Sequence, residues 1–128
     1  MIQLRRPRGF TLIELLVVMS VIATLLTIAV PRYFRHIDMA RETTLRQSLV
    51  VMRDAVDKFH GDIGRYPESL EELVGKRYLR KVPSDPLTES SETWVIVPPP
   101  DAPGQRSVWD IHSGAEGQAL DGSDYASW

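Results

Sequence analysis

From Phe10 to Val30 the chain is apolar at almost every position, and Glu14 is the single ionisable side chain in that run. A helix of that length rises roughly 31 Å, close to the hydrocarbon thickness of a bilayer. Beyond Val30 the pattern becomes one apolar stripe, in which Ile37, Leu45, Leu49, Met52, Val56 and Phe59 recur at steps of three, four or their multiples. Arg41, Glu42, Arg46, Arg53, Asp54, Asp57 and Lys58 lie mostly off that stripe. Helical spacing therefore resumes at once after Pro31, which predicts a bend there rather than a stop. One long helix is expected from about Phe10 to His60, apolar over 10–30 and amphipathic over 31–61. The glycines of Gly61-Asp62-Ile63-Gly64 end it.

The remainder, 62–128, reads as a small mixed region. Ser69 or Glu68 caps a short helix through about Val74, with Leu70 and Leu73 inward and Gly75 stopping it. Pro83 and Pro86 stiffen an extended turn that Asp85 punctuates as a turn-capping carboxylate. Strand-like runs follow at 93–97 and 107–111, separated by Pro98-Pro99-Pro100, Asp101 and Gly104. Paired antiparallel, they would cover the helix stripe, with Trp94 and Trp109 as packing residues. The expected fold class is thus α+β: a long N-terminal helix packed on a small antiparallel sheet.

Charge orients this arrangement. The leader, residues 1–9, carries Arg5, Arg6 and Arg8 and no acid, so it stays in the cytoplasm while everything after Val30 crosses the membrane. A secretory signal does not fit, because its apolar core runs only about 7–15 residues and ends in a small-x-small site. This run is longer and ends in Ile-Ala-Val-Pro. A plain anchor explains the length but not Glu14, since a carboxyl inside the bilayer costs about 2.5–3.5 kcal/mol on insertion scales. Some partner must compensate it.

Composition excludes several functions. The formal net charge is −2, and loss of the leader arginines makes the chain more acidic, so no nucleic-acid partner is expected. The absence of Cys rules out disulfides and thiol chemistry. His36, His60 and His112 show no zinc spacing, and no P-loop, dinucleotide or G-x-S-x-G signature occurs. No enzymatic role is expected.

The segment Gly9-Phe10-Thr11-Leu12-Ile13-Glu14, with basic residues before it and an apolar helix behind, resembles the class III signal of type IV pilins and type II secretion pseudopilins. The resemblance implies cleavage by a prepilin peptidase between Gly9 and Phe10, followed by N-methylation of Phe10. It also implies that Glu14 of one subunit meets the Phe10 ammonium of a neighbour, with Pro31 in the helix that assembles. Breaking such a buried pair costs about 3–5 kcal/mol, enough to enforce register between subunits. Asp62-x-x-Arg65-Tyr66-Pro67 and Tyr78-Leu79-x-x-Val82-Pro83-x-Asp85-Pro86 are similar to segments of major pseudopilins.

The tail after Ile111 gathers glycines, serines and acids without a Lys or Arg. Hard cations such as Ca²⁺ take six to eight oxygens, and a flexible glycine loop can wrap them. The tail is similar to the calcium-binding ending of major pseudopilins, which implies Glu116 and Asp124 as acidic ligands. From the same acidic loop, 113–124, Asp121, Ser123 and the Ser113 carbonyl are the candidates for the remaining ligands. Glu stands at 116 where that family has Asp, one residue is missing before Gly114, and the loop is short.

The resemblance implies a structural subunit of a type II secretion pseudopilus. It would wait in the bacterial inner membrane with its C-terminal region in the periplasm, then join a periplasmic filament that promotes export of folded proteins. Its implied partners are copies of itself, minor pseudopilins, the prepilin peptidase, an inner-membrane assembly platform and, before assembly, membrane lipid. A type IV pilin, a DNA-uptake pseudopilin, or an uncleaved membrane-tethered calcium-responsive adhesion or sensor module are the alternatives.

Overall fold

The computed structural model of the protein describes residues 7–128, so Arg5, Arg6 and the rest of 1–6 lie outside the described residues. Helix α1 runs unbroken over Leu12–Ile63 and contains Pro31, which therefore does not end it. It starts at Leu12 rather than Phe10 because Thr11 is its cap. The Glu14 amide donates to Thr11 Oγ1 at 3.1 Å, and the Thr11 amide donates to the Glu14 carboxylate at 3.3 Å. This reciprocal capping box satisfies two of the free amides of the first turn.

The chain forms two units, the first reaching Ile37 and the second covering Asp38–Trp128. In the first, α1 is long and apolar enough to cross a membrane, and none of that stretch is buried. Its hydroxyls are already satisfied: Ser20, Thr24 and Thr27 each donate at 2.8 Å to the carbonyl four residues earlier.

In the second unit, α1 buries Leu45, Leu49, Met52, Ala55, Val56 and Phe59. Against them pack Leu70, Leu73, Leu79, Trp94, Val108 and Ile111. α1 passes through Gly61 and stops at Ile63, three residues beyond His60, where Gly64 takes a positive φ of 84°. Helix α2 spans Leu70–Gly75; Ser69 Oγ caps it by accepting from the Glu72 amide at 3.2 Å. Gly75 is its last residue, and the chain turns only at Arg77, with φ 66°.

Strands β1 (Val95–Val97) and β2 (Asp110–His112) form a two-stranded antiparallel sheet pairing Val95 with His112, Ile96 with Ile111 and Val97 with Asp110. Both are shorter than the expected 93–97 and 107–111, for identifiable reasons. Thr93 Oγ1 is bonded to Thr88 Oγ1 at 2.6 Å, and Trp94 Nε1 donates to the Pro83 carbonyl at 2.8 Å. Both residues face the preceding turn. On the other strand the Val108 amide donates to the Pro67 carbonyl at 2.7 Å and is lost to the ladder. Trp94 is a core residue as expected, whereas Trp109 is 41% exposed.

Candidate functional site

Residues 7–11 precede the first helical turn, so the Gly9–Phe10 bond lies in open, non-helical chain. Phe10 is almost fully exposed, and a side chain at Gly9 would meet nothing within 4 Å on this chain. An extended, accessible backbone is what a peptidase requires. Glu14 is held by its own chain through the bond from the Thr11 amide, and its carboxylate is exposed within an apolar surface. Pro31, inside α1, has no amide to give, so the Thr27 carbonyl lacks its usual helical donor.

At the other end, residues 117–125 fold into a small hairpin. Gln118 bridges Asp124, the Ala119 amide donates to the Ser123 carbonyl at 2.7 Å, and the Gly122 amide donates to the Ala119 carbonyl at 3.0 Å. Gly122, with φ 87°, closes the turn. Asp121 sits in that turn and accepts the Ser123 hydroxyl at 2.6 Å and the Ser123 amide at 2.9 Å. These two bonds hold its carboxyl below the ordinary range, and Arg46, 3.7 Å away, adds to the effect.

The five residues assigned to a cation are not equivalent. The Ser113 hydroxyl points inward and donates to Asp85 Oδ2 at 2.5 Å, while accepting the Ala115 amide at 3.1 Å. Only its carbonyl is left for the role expected of it. Asp121 and Ser123 are occupied with one another. Glu116 and Asp124 are exposed, and Asp124 makes no side-chain capping bond at the 3-10 turn Tyr125–Ser127. Among the described residues no three His, Asp or Glu side chains gather closely enough to hold a metal. Asp85 acts as the turn-capping carboxylate expected, accepting the Leu87 amide at 2.8 Å. Just after Ser113, a Cβ on Gly114 would fall 2.0 Å from the Thr93 carbonyl oxygen, so only glycine fits that crossing.

What sequence reasoning missed is how the tail is fastened to α1. Glu42 accepts the Leu120 amide at 2.8 Å and the Tyr125 hydroxyl at 2.9 Å. Burial, then the bond to Glu42, raises the Tyr125 phenol to about 12. The Arg46 guanidinium lies 3.9 Å over the Trp128 ring, whose Nε1 donates to Ser123 Oγ at 2.8 Å. Arg53 donates to Asp110 Oδ1 and the Ile111 carbonyl, each at 2.8 Å, and to the Trp128 carbonyl. Residues 42, 46 and 53 share one helical face with the buried Leu49. That alignment was the available signal.

Comparison with known proteins agrees with these features. The family described as the prokaryotic N-terminal methylation motif matches residues 4–30. Proteins named type II secretion system core protein G are similar over nearly the whole chain. That of Pseudomonas aeruginosa is 29% identical, covering 98% of this chain and 98% of its own length. Those of Aeromonas hydrophila and Klebsiella pneumoniae are each 28% identical, covering 98% of this chain and 95% and 96% of theirs. No solved structure matches. An open Gly9–Phe10 bond, a capped apolar helix and a small sheet-bearing unit thus occur in a chain that carries the N-methylation motif of prepilin-type proteins and is similar, almost end to end, to core protein G of type II secretion.

Proposed function

We propose that this chain is a structural subunit of a type II secretion pseudopilus, of the core protein G type. The observation that carries this reading is the exposed Gly9–Phe10 bond just before a capped helix whose apolar stretch is unburied, in a chain similar to those proteins over nearly its full length. A prepilin peptidase cuts that bond on the cytoplasmic side, and Phe10 becomes the methylated N-terminus. The new ammonium of one copy meets Glu14 of the next, which exchanges its bond from the Thr11 amide for an opposite charge in a low-dielectric helix bundle. The protein waits in the inner membrane with Asp38–Trp128 in the periplasm, then joins a filament of its own copies, with minor pseudopilins and an inner-membrane assembly platform as partners. Its work is mechanical; no residue is assigned to catalysis.

Calcium belongs to this proposal. With Asp121 and Ser123 engaged in the hairpin, the Asp124 and Glu116 carboxylates and the Ser113 carbonyl are the groups that would hold the ion. Bound there, it would neutralise the acidic loop.

The mass of the mature N-terminus tests the main reading. Methylated Phe10 is expected in a host with the processing peptidase; an intact Met1 would reject the pseudopilin and favour a tether. Glu14→Ala should insert and be cleaved yet leave filaments largely unassembled. Its incorporation at the wild-type level would remove the pairing role.

A further inference from the structure

Immediately beyond the apolar run lie Arg32, Tyr33, Phe34, Arg35 and His36, all exposed. No acidic residue occurs between Glu14 and Asp38. Neither Arg32 nor Arg35 has an ion-pair partner among the described residues. The helical repeat places Leu25, Ile28, Ala29, Arg32 and His36 on one face. With Tyr33 they line a shallow groove of about 580 Å³, apolar at one end and cationic at the other. The rise from Leu12 to Pro31 is roughly 28 Å, so Arg32 enters the headgroup region opposite the leader. Tyr33 and Phe34, edge-to-face with centroids 5.9 Å apart, stand at the level that interfacial aromatic side chains favour.

Positive charge on that side runs against the bias that keeps Lys and Arg cytoplasmic. A fixed anion there would compensate it. We propose that this face binds one anionic glycerophospholipid from the leaflet opposite the leader. The phosphate sits on the Arg32 guanidinium at the cationic end of the groove, whose forked donors match its oxygens, with a His36 N–H as a further donor and Arg35, outside the groove, as a second nearby charge. One acyl chain lies along Leu25, Ile28 and Ala29. The proposal rests on the membrane-spanning reading of α1. It makes the bound lipid the main electrostatic hold on the span once the leader arginines are cut away, and one that a subunit must release on leaving the bilayer.

The test uses the full chain in phosphatidylcholine vesicles, with spin-labelled phosphatidylglycerol or phosphatidylcholine as probe. Wild type should prefer the anionic label roughly fivefold, as one well-placed arginine near a charged headgroup allows. Arg32→Gln/Arg35→Gln should bring that preference close to one, while Arg5→Gln/Arg6→Gln/Arg8→Gln should keep most of it. Preference retained in the first variant, or abolished by the leader variant alone, overturns the site. Loss of self-crosslinking in the Arg32/Arg35 variant without any lipid preference in wild type would overturn it too, giving the arginines to a second copy. Flotation separates the two readings. A chain that does not float with vesicles overturns the span itself, whereas one that floats without preference overturns only the lipid site.

Discussion

Arg53 Nε and Asp110 Oδ1 stand 2.8 Å apart across 57 residues of sequence, tying the C-terminal part of α1 to the first residue of β2. The same guanidinium reaches the Ile111 and Trp128 carbonyls, so one side chain fastens both the sheet and the tail. Charge-assisted bonds contribute about 1.5–3 kcal/mol each when partly shielded, and this cluster is half-buried. Arg53→Ala should therefore destabilise the second unit by about 2–3 kcal/mol. Denaturant unfolding of the full chain in micelles, followed by tryptophan fluorescence, reads the change. Arg53→Lys should recover little, because one ammonium cannot span three acceptors.

Asp85 and Ser113 form the second long-range tie, and both are buried. Asp85→Ala leaves the Leu87 and Thr88 amides and the Ser113 hydroxyl without an acceptor. A loss of about 3 kcal/mol is expected, with about 2 kcal/mol for Ser113→Ala. The double variant should cost less than the sum by about 1 kcal/mol or more, since either change already breaks the shared bond. Strict additivity would show that the two loops are not coupled.

The bond between Tyr125 and Glu42 has a pH signature. The folded phenol titrates at about 12, above its ordinary value of about 10. The unfolded chain thus loses its proton first. This contribution to stability is complete below about pH 10 and is lost as pH rises through about 12. Ultraviolet titration of tyrosinate should show a tyrosine ionising at about pH 12 that Tyr125→Phe removes, beside Tyr78, which its bond to Asp62 also raises. Glu42→Gln should move that midpoint part of the way down, because burial, the larger cause, remains.

Millimolar Ca²⁺ should raise the melting temperature of the second unit in the full chain, and Asp124→Ala should abolish the rise. Asp121→Asn should leave most of it, because that carboxylate serves the Ser123 amide and hydroxyl. Identical melts in calcium and in chelator would withdraw the ion from the proposed function.

Local features could be read from the chain and distant ones could not. The apolar span, the buried stripe from Leu45 to Phe59, the Ser69 cap and the Asp85 turn all follow from residues a few positions apart, where periodicity and capping chemistry operate. The strand limits depended on Val108 bonding to Pro67 and Trp94 to Pro83, contacts that no local pattern encodes. Glu42 and Arg53 lie off the buried stripe, and nothing local marks them as ties because their partners lie 83 and 57 residues away. The tail does double duty. Its acids and glycines suit a cation loop, but in Asp121-Gly122-Ser123 the same composition makes a hydrogen-bonded turn.

The hydroxyls of Ser20, Thr24 and Thr27 turn back onto their own helix. Between Ser20 and Thr27 such a rod presents no unanswered hydroxyl donor to whatever surrounds it, so acyl tails and the flanks of sister rods are nearly equivalent media for that stretch. Moving between them then involves little beyond exchanging one greasy contact for another, and the few charges at its ends are left to decide where it rests.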